Sequence, residues 1–303
     1  MFDIVSVGHF AIDSIFLPDR DTPFIVLGGS VAYASFAARR LDATVSVVSK
    51  VGGDFPKAYL WWLEQGVNLS GIVKVENAQT TRFELKYSNN LRNRKLRLKS
   101  KAPPITVDDL PKSLKAKTIH VAPIAGEVTY EVAKKLRSCA QWLSLDPQGL
   151  VRSFDEKGNV IHGSLTDKRV LELVDIYKSS SDEIKSVTGM STQKSAIKAV
   201  HDYGVEIIIV TFGMKGAMLS VEETVYKIPA YKSKKVVDPT GAGDVFIGGF
   251  LAEYIRGENL LWCACVGSAA ASLVVEAAGP TFFGDKAEIY QRARVLHEKE
   301  IKR

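Results

Sequence analysis

The order of its apolar runs predicts a single α/β domain, a mainly parallel sheet covered by helices on both faces, with a small β lid inserted into it. Three observations carry the prediction. β-rich apolar runs alternate with helically spaced ones along most of the chain, which is the rhythm of βαβ units. Several runs end in Gly or Asp, at the carboxyl ends where open parallel sheets gather their ligands. One stretch breaks the rhythm: residues 80–99 contain two period-two strands, TTRFELKYSNN and RKLRLK, joined at an Asn-Asn turn.

In chain order, residues 3–7 form a buried strand ending at Gly8, and a short loop then delivers Asp13. Gly28 and Gly29 open a small-residue helix running to residue 40, where glycine lets another group approach the backbone. Residues 44–51 alternate as a strand closed by Gly52, Gly53 and Asp54, and a helix over 56–65 stops at Gly66. In the hairpin, Leu96 and Leu98 share one side and Arg97 and Lys99 the other. It is either a surface hairpin with a solvated basic face or a lid over a polar site. The rhythm resumes with strand 118–121, helix 129–140, strand 142–145 ending in Asp146, strand 174–177, helix 192–203 and strand 206–211. A hairpin around Gly216 interrupts it, and two small-residue helices, 242–254 and 260–277, follow. No internal repeat or low-complexity linker divides the chain.

A chain of 303 residues, 46% hydrophobic and 24% charged, is neither disordered nor fibrous. No window reaches the ~18–20 apolar residues of a membrane span. Asp3, His9 and Asp13 stand where a signal peptide would be apolar, so a cytoplasmic location is expected. Cys139, Cys263 and Cys265 contain no C-x-x-C pair and are expected as reduced thiols. The net charge of +6 is concentrated in residues 91–101 and the KEIKR tail. Without a nucleic-acid-binding pattern it indicates solubility or an anionic small substrate, and neither nucleic acid nor membrane is expected as a partner. VGHFAID lacks G-x-G-x-x-G and G-x-x-x-x-G-K-[ST] occurs nowhere, which excludes dinucleotide oxidoreductases and Walker-type nucleotidases.

The strongest local signal is VVDPTGAGDVFIGGF, residues 236–250. It reads as a strand end, a small run Thr240, Gly241, Ala242 and Gly243, and then Asp244 on the first turn of a helix. The first amides of a helix lack helical partners and sit at the positive end of its dipole, so this run can cradle an anion. Asp244 can accept a proton from a hydroxyl brought beside it during attack on phosphorus. Alone, the string could equally be a helix cap with a tight turn.

That segment resembles the C-terminal signature of the ribokinase-like (PfkB) family of carbohydrate and nucleoside kinases. The Gly28-Gly29 helix start, KVGGD at residues 50–54 and VTFGMKG at residues 210–216 are similar to its other motifs, in the same order. The resemblance implies a three-layer α/β/α core with a small β lid, here formed by about 14–27 and 79–100, and ATP- and Mg²⁺-dependent phosphorylation of a small polyhydroxy substrate. It assigns Asp244 as catalytic base and Gly241, Ala242 and Gly243 as anion hole. Asp13, Gly28 and Gly29 become substrate contacts; for Asp13 a loop cap is the alternative. Ser180, Thr211, Gly213, Gly216, Thr240 and Ser268 fall to the nucleotide. A homodimer through the lid is a further expectation, since exposed strand edges pair between subunits.

Two departures narrow the reading. Tyr33 stands where ribokinases commonly place a furanose-reading asparagine, which makes ribose a poorer candidate. Ser180 replaces the asparagine of the family's Asn-x-x-Glu element, while Glu183 is retained as the residue to organise Mg²⁺ through water, or else a helix N-terminal Glu. LGGSVAYAS, TTRFELKY, LDPQGLVRSFDEKGNV, YKSSSDE and GPTFF together resemble the myo-inositol kinase branch. A cyclitol would offer rim hydroxyls to Asp13 and its C–H face to Tyr33. Glu127, Asp146 and Arg152 are further candidates for hydroxyl or phosphate contacts, or loop salt bridges. The alternatives are a nucleoside, ribose, fructose or keto-deoxy sugar acid kinase, or a non-catalytic polyol sensor.

Overall fold

A computed structural model of the chain describes residues 1–91, 93–222, 224–233 and 235–298; Arg92 and the KEIKR tail, which carry part of the basic excess, lie outside the described residues. The N-terminal third comprises β1 (Phe2–Val7), β2 (Ala11–Phe16), β3 (Phe24–Gly28), α1 (Ser30–Arg40), β4 (Val45–Gly52), α2 (Lys57–Glu64), β5 (Asn68–Val75), β6 (Thr81–Tyr87) and β7 (Arg94–Ser100). The middle follows with β8 (Ala116–Val121), α3 (Tyr130–Arg137), β9 (Ala140–Leu145), β10 (Arg152–Phe154), β11 (Val160–His162), β12 (Ile176–Ser180), α4 (Ser181–Thr188) and α5 (Gln193–His201). The last part holds β13 (Ile207–Thr211), β14 (Ala217–Val221), β15 (Thr224–Ile228), α6 (Ala242–Tyr254), α7 (Leu260–Val274) and α8 (Lys286–Glu298).

Nine strands form the core sheet in the order β15-β14-β13-β12-β9-β8-β1-β4-β5. The pairs from β5 through β13 are parallel, and β14 alone runs against them, antiparallel to both β13 and β15. Residues alternate between faces along each strand. On one face Ile4, Val45, Val47, Ile176 and Ile209 pack beneath α1, α6, α7 and α8. On the other, Val5, Val7, Ile119, Leu143 and Ile208 meet α3, α4 and α5. The result is the three-layer α/β/α architecture. Glycine sets how closely α6 approaches its neighbours: a Cβ on Gly248 would lie 2.3 Å from the Ala34 carbonyl oxygen, and one on Gly249 would lie 3.2 Å from Gly267 Cα.

The second sheet, β3-β2-β6-β7, stands over the carboxyl ends of β1, β8 and β9. Its inner face is built by period two: Ala11, Ile15, Phe83, Leu85, Leu96 and Leu98 pack together with Ile124 and Ala125 of the core. Arg97 and Lys99 face outward toward Glu84. The loop expected to deliver Asp13 is a strand instead: Asp13 lies in β2, in register with Phe83. Strands β5, β10 and β11 and helices α4 and α8 are also additional to the sequence reading, and the strand expected at 174–177 runs over Ile176–Ser180. No helix among the described residues is long and apolar enough to cross a membrane.

Candidate active site

The two sheets meet at a pocket of about 390 Å³, counting the part open to solvent. The lid supplies Asp13 from β2, Phe83 and Leu85 from β6, and Arg94 and Leu96 from β7. The core supplies Gly29, Ser30 and Tyr33 at the start of α1, Ile124 after β8, Gln148 and Arg152 after β9, and Thr240, Gly241 and Asp244 around the N-terminus of α6. Apolar rings and side chains thus form part of the wall, and polar groups converge from both sheets.

Helix α6 begins at Gly241, whose φ of 76° lies in the left-handed region. A Cβ there would lie 2.2 Å from the Tyr33 ring, so glycine is needed twice, for conformation and for space. The amides of Ala242, Gly243 and Asp244 are the first of the helix and lie at its positive end. Asp244 is held by its neighbours: the Gln148 amide nitrogen donates to its Oδ1 at 3.2 Å and to Ser30 Oγ at 2.6 Å. The Gln148 Oε1 accepts from Arg152 at 2.6 Å, which leaves the amide one orientation. A cation lies beneath the same helix end. Lys178 Nζ is 2.5 Å from Asp146 Oδ2, and a Cβ on Gly243 would lie 2.7 Å from it. Burial opposes the charge on Lys178, but Asp146, Asp244 and Glu183 outweigh it and raise its pKa above the usual value.

Asp13 is 5% exposed, and its Oδ1 has no hydrogen-bond partner among the described residues. Burial pushes its carboxyl up to about 7; Arg94 and Arg152 oppose the shift, and Asp238 and Asp244 add to it. Tyr33 is 1% exposed, and its Oη is likewise unpartnered among the described residues. Burial pushes its phenol well above the ordinary value, and the carboxylates of Asp13, Asp238 and Asp244 push the same way. Two buried polar atoms of one pocket without a partner among the described residues are costly unless a ligand pairs them. They are useful where a polar ligand pairs them.

Three expected substrate contacts are not brought to this pocket. Glu127 is fully buried, and its oxygens accept from the backbone amides of His9, Ile124 and Ala125; this carboxylate holds the loops after β1 and β8 together. Asp146 is enclosed by Lys178 and by the Gln148 amide. Gly28 lies behind Asp13: a Cβ on it would come within 2.0 Å of Oδ2, so its part is to leave room for that carboxylate.

The residues expected to meet the nucleotide lie elsewhere, along the β12 to β15 side. Ser180 and Thr211 end neighbouring strands in register, and Thr211 Oγ1 donates to the Ser179 carbonyl. Gly213 and Gly216 shape the turn that follows, with φ of 58° and 93°. Ser268 Oγ donates to the Pro229 carbonyl. Ser180 and Glu183 form a reciprocal capping box at the start of α4. Thr240 lies between the two regions, its hydroxyl on Asp238.

Ser30, Tyr87, Arg94, Gln148 and Lys178 were missed in the sequence. Parity would have found two of them, because Tyr87 continues the Phe83–Leu85 face and Arg94 the Leu96–Leu98 face. Lys178 carried no such signal, being one lysine in a chain with 40 basic residues.

The chain belongs to the pfkB family of carbohydrate kinases, which matches residues 1–287. It is a phosphotransferase with a hydroxyl acceptor. It is 28% identical to a cytidine kinase of Thermococcus kodakarensis over 88% of this chain and 94% of that protein. It is 30% identical to an inositol 3-kinase of Oryza sativa subsp. japonica over 91% of this chain and 69% of the relative. Its fold is similar, with a TM-score of 0.78 and 22% identity, to that of a pyrophosphate-dependent kinase in the ribokinase family complexed with a pyrophosphate analog and myo-inositol; 91% of this chain and 96% of the other are covered.

Kinases of this family use ATP with Mg²⁺. No cluster of three or more His, Cys, Asp or Glu side chains that could hold a metal occurs among the described residues. Mg²⁺ does not need one, since it usually keeps several waters and binds through one or two carboxylates and the substrate phosphates. Glu183, the candidate from the sequence, has one carboxylate oxygen on the Ser180 amide as the cap of α4. Burial works against its charge, but Lys178 and Arg152 hold its pKa below the usual carboxylate range.

Proposed function

We propose that the chain transfers the terminal phosphoryl group of ATP, with Mg²⁺, to a hydroxyl of a small polyol, and that the polyol is myo-inositol. The observation that carries the proposal is the placement of Asp244. It lies on the first turn of α6, oriented by Gln148, facing a pocket that Asp13 closes from the other sheet. In this reading Asp13 accepts hydrogen bonds from acceptor hydroxyls and positions the ring, with the Gly29 and Ser30 backbone beside it. Asp244 takes the proton of the attacking hydroxyl. The amides of Gly241, Ala242 and Gly243, with Lys178 below them, stabilise charge developing on the transferred group. Mg²⁺ would be held near Glu183 and the donor phosphates and would supply charge neutralisation there.

The polyol assignment is supported by a pocket that mixes polar groups at its rim with the Tyr33 and Phe83 rings, Leu85, Leu96 and Ile124. A compact cyclitol presents hydroxyls around its edge and C–H faces above and below, which suits that mixture. The inositol kinase branch resemblance and the rice relative point the same way. The archaeal cytidine kinase supports a second reading, in which a ribose hydroxyl of a nucleoside is the acceptor. We further infer that copies of the chain pair through the lid, where β3 is an edge strand with Ile25 56% exposed.

The test is a panel of myo-inositol, cytidine, ribose, fructose and a keto-deoxy sugar acid, each with ATP or pyrophosphate and Mg²⁺, read as product formation. Expected is a kcat/KM for myo-inositol with ATP at least roughly tenfold above every other pair, since each unmet buried polar group costs ~1–3 kcal/mol. Cytidine or ribose used as efficiently as myo-inositol would leave only the broader kinase activity.

A further inference from the structure

We propose that Tyr87 is a positioning residue that ties the lid sheet to the anion-hole loop, so that the phosphoryl site is set in its working shape by the lid. Tyr87 ends β6 on the inner face of the lid, and its Oη is 2.8 Å from Oγ1 of Thr240, 153 residues away in the chain. Thr240 immediately precedes Gly241, the first residue of the anion hole. The Thr240 hydroxyl and backbone amide both donate to Oδ1 of Asp238, at 2.6 and 2.9 Å, and Oδ2 of Asp238 accepts the Gly279 amide at 2.9 Å. On the lid side, Arg94 Nη1 donates to Tyr87 Oη at 3.2 Å.

The direction of every proton in this chain is determined. A guanidinium only donates, so the Tyr87 oxygen accepts from Arg94; the Thr240 proton is committed to Asp238, so the Tyr87 proton points to Thr240 Oγ1. Arg94, Tyr87, Thr240 and Asp238 therefore form one polarised relay from the lid to the segment around Gly279, each bond strengthening the next. The relay acts at a sensitive position. Gly241 sits at φ 76° with its Cα against the Tyr33 ring, so movement of Thr240 passes directly into the amides of residues 242–244. The Tyr87 hydroxyl is bonded to Thr240 and Arg94 and to none of these amides among the described residues. It acts on them only through Thr240, which makes it a determinant of turnover rather than of acceptor affinity.

Tyr87→Phe keeps the ring and removes the bond, and Thr240→Val removes it from the core side without disturbing the lid. With ATP, Mg²⁺ and whichever of myo-inositol or cytidine is phosphorylated, each variant should lose roughly 10- to 100-fold in kcat, the scale of an ångström-sized misplacement. In Tyr87→Phe acceptor KM should change by less than about threefold, because Tyr87 is not among the residues that line the pocket. Thr240→Ser, which keeps the hydroxyl, should retain near-normal turnover. Thr240→Val also removes the hydroxyl's bond to Asp238 and Tyr87→Phe the acceptor of Arg94, but the Tyr87–Thr240 bond can be lost only once, so the double variant should lose no more than about the worse single one. Independently of any acceptor, hydrogen exchange of the peptide spanning residues 239–245 should quicken in Tyr87→Phe. Unchanged exchange there, more than half the wild-type kcat in Tyr87→Phe, or losses that multiply in the double variant would each overturn the proposal.

Discussion

Tyr33→Phe separates the stability of the empty pocket from its use. The Tyr33 hydroxyl is buried and unpartnered among the described residues, close to the carboxylates of Asp13, Asp238 and Asp244. A buried hydroxyl without a partner costs about 1–3 kcal/mol, so its removal should stabilise the acceptor-free protein by that order. At about 2.1 cal/mol/K of unfolding entropy per residue, a chain of this length gains ~1.5 °C in Tm per kcal/mol, hence a rise of about 1.5–5 °C. The ring remains, so its contact with Gly241 is preserved. Acceptor binding should respond in the opposite sense. If Oη pairs an acceptor hydroxyl, losing that bond, worth about 0.5–1.5 kcal/mol net, raises KM by about 2- to 13-fold with little change in kcat. Thermal melts with and without acceptor, together with steady-state kinetics, read both quantities. A Tm that falls, or one that rises while KM stays constant, refutes the reasoning.

Asp244→Asn keeps size and loses basicity, and turnover should fall by about 10²–10⁴ while acceptor and nucleotide still bind in calorimetry; a variant with more than about a tenth of normal turnover would remove Asp244 from the base role. Asp13 gives a pH signature. Its folded pKa is raised to about 7, so the stability it contributes is complete at low pH and is lost as pH rises through that value. The unliganded protein should therefore lose more stability between about pH 4 and 8 than Asp13→Asn does, as urea denaturation at each pH would show. Acceptor KM should run the other way, improving as pH rises through about 7, because acceptor hydroxyls pair the ionised form, and Asp13→Asn should flatten that profile. Lys178→Met removes the cation that pairs the buried Asp146 and leaves that carboxyl only the Gln148 backbone amide, and should cost about 3–5 kcal/mol of stability. Adding Asp146→Asn should recover much of that loss but not turnover; recovery of both would make the pair purely structural.

The core was legible because a parallel sheet buried on both faces leaves a mark at every turn of the chain. Val5, Val47, Ile119 and Ile208 are apolar on whichever face they occupy, and the helices between them repeat at their own period. The N-terminus of α6 was legible for a different reason, since a backbone cradle needs glycine at Gly241 whatever surrounds it. The lid was half visible: β6 and β7 show clean alternation, but β2 and β3 are short and β2 carries Asp13 and Ser14 among its apolar residues, so it reads as loop.

Charged side chains were the least legible, because their roles depend on which partner the fold brings near. Glu127 and Asp146 sit in motifs that invite a ligand, and the folded chain gives the first to three backbone amides and the second to Lys178. Gln148 has no distinguishing spacing, and parity puts Arg94 and Tyr87 on the inner lid face without naming their partners; the tertiary structure places the first on Asp244 and the others in the relay to Thr240. Local propensity acts over a few residues, and a motif over a dozen. The Tyr87–Thr240 bond spans 153 residues, and only the packing of one sheet against the other decides that those two hydroxyls meet.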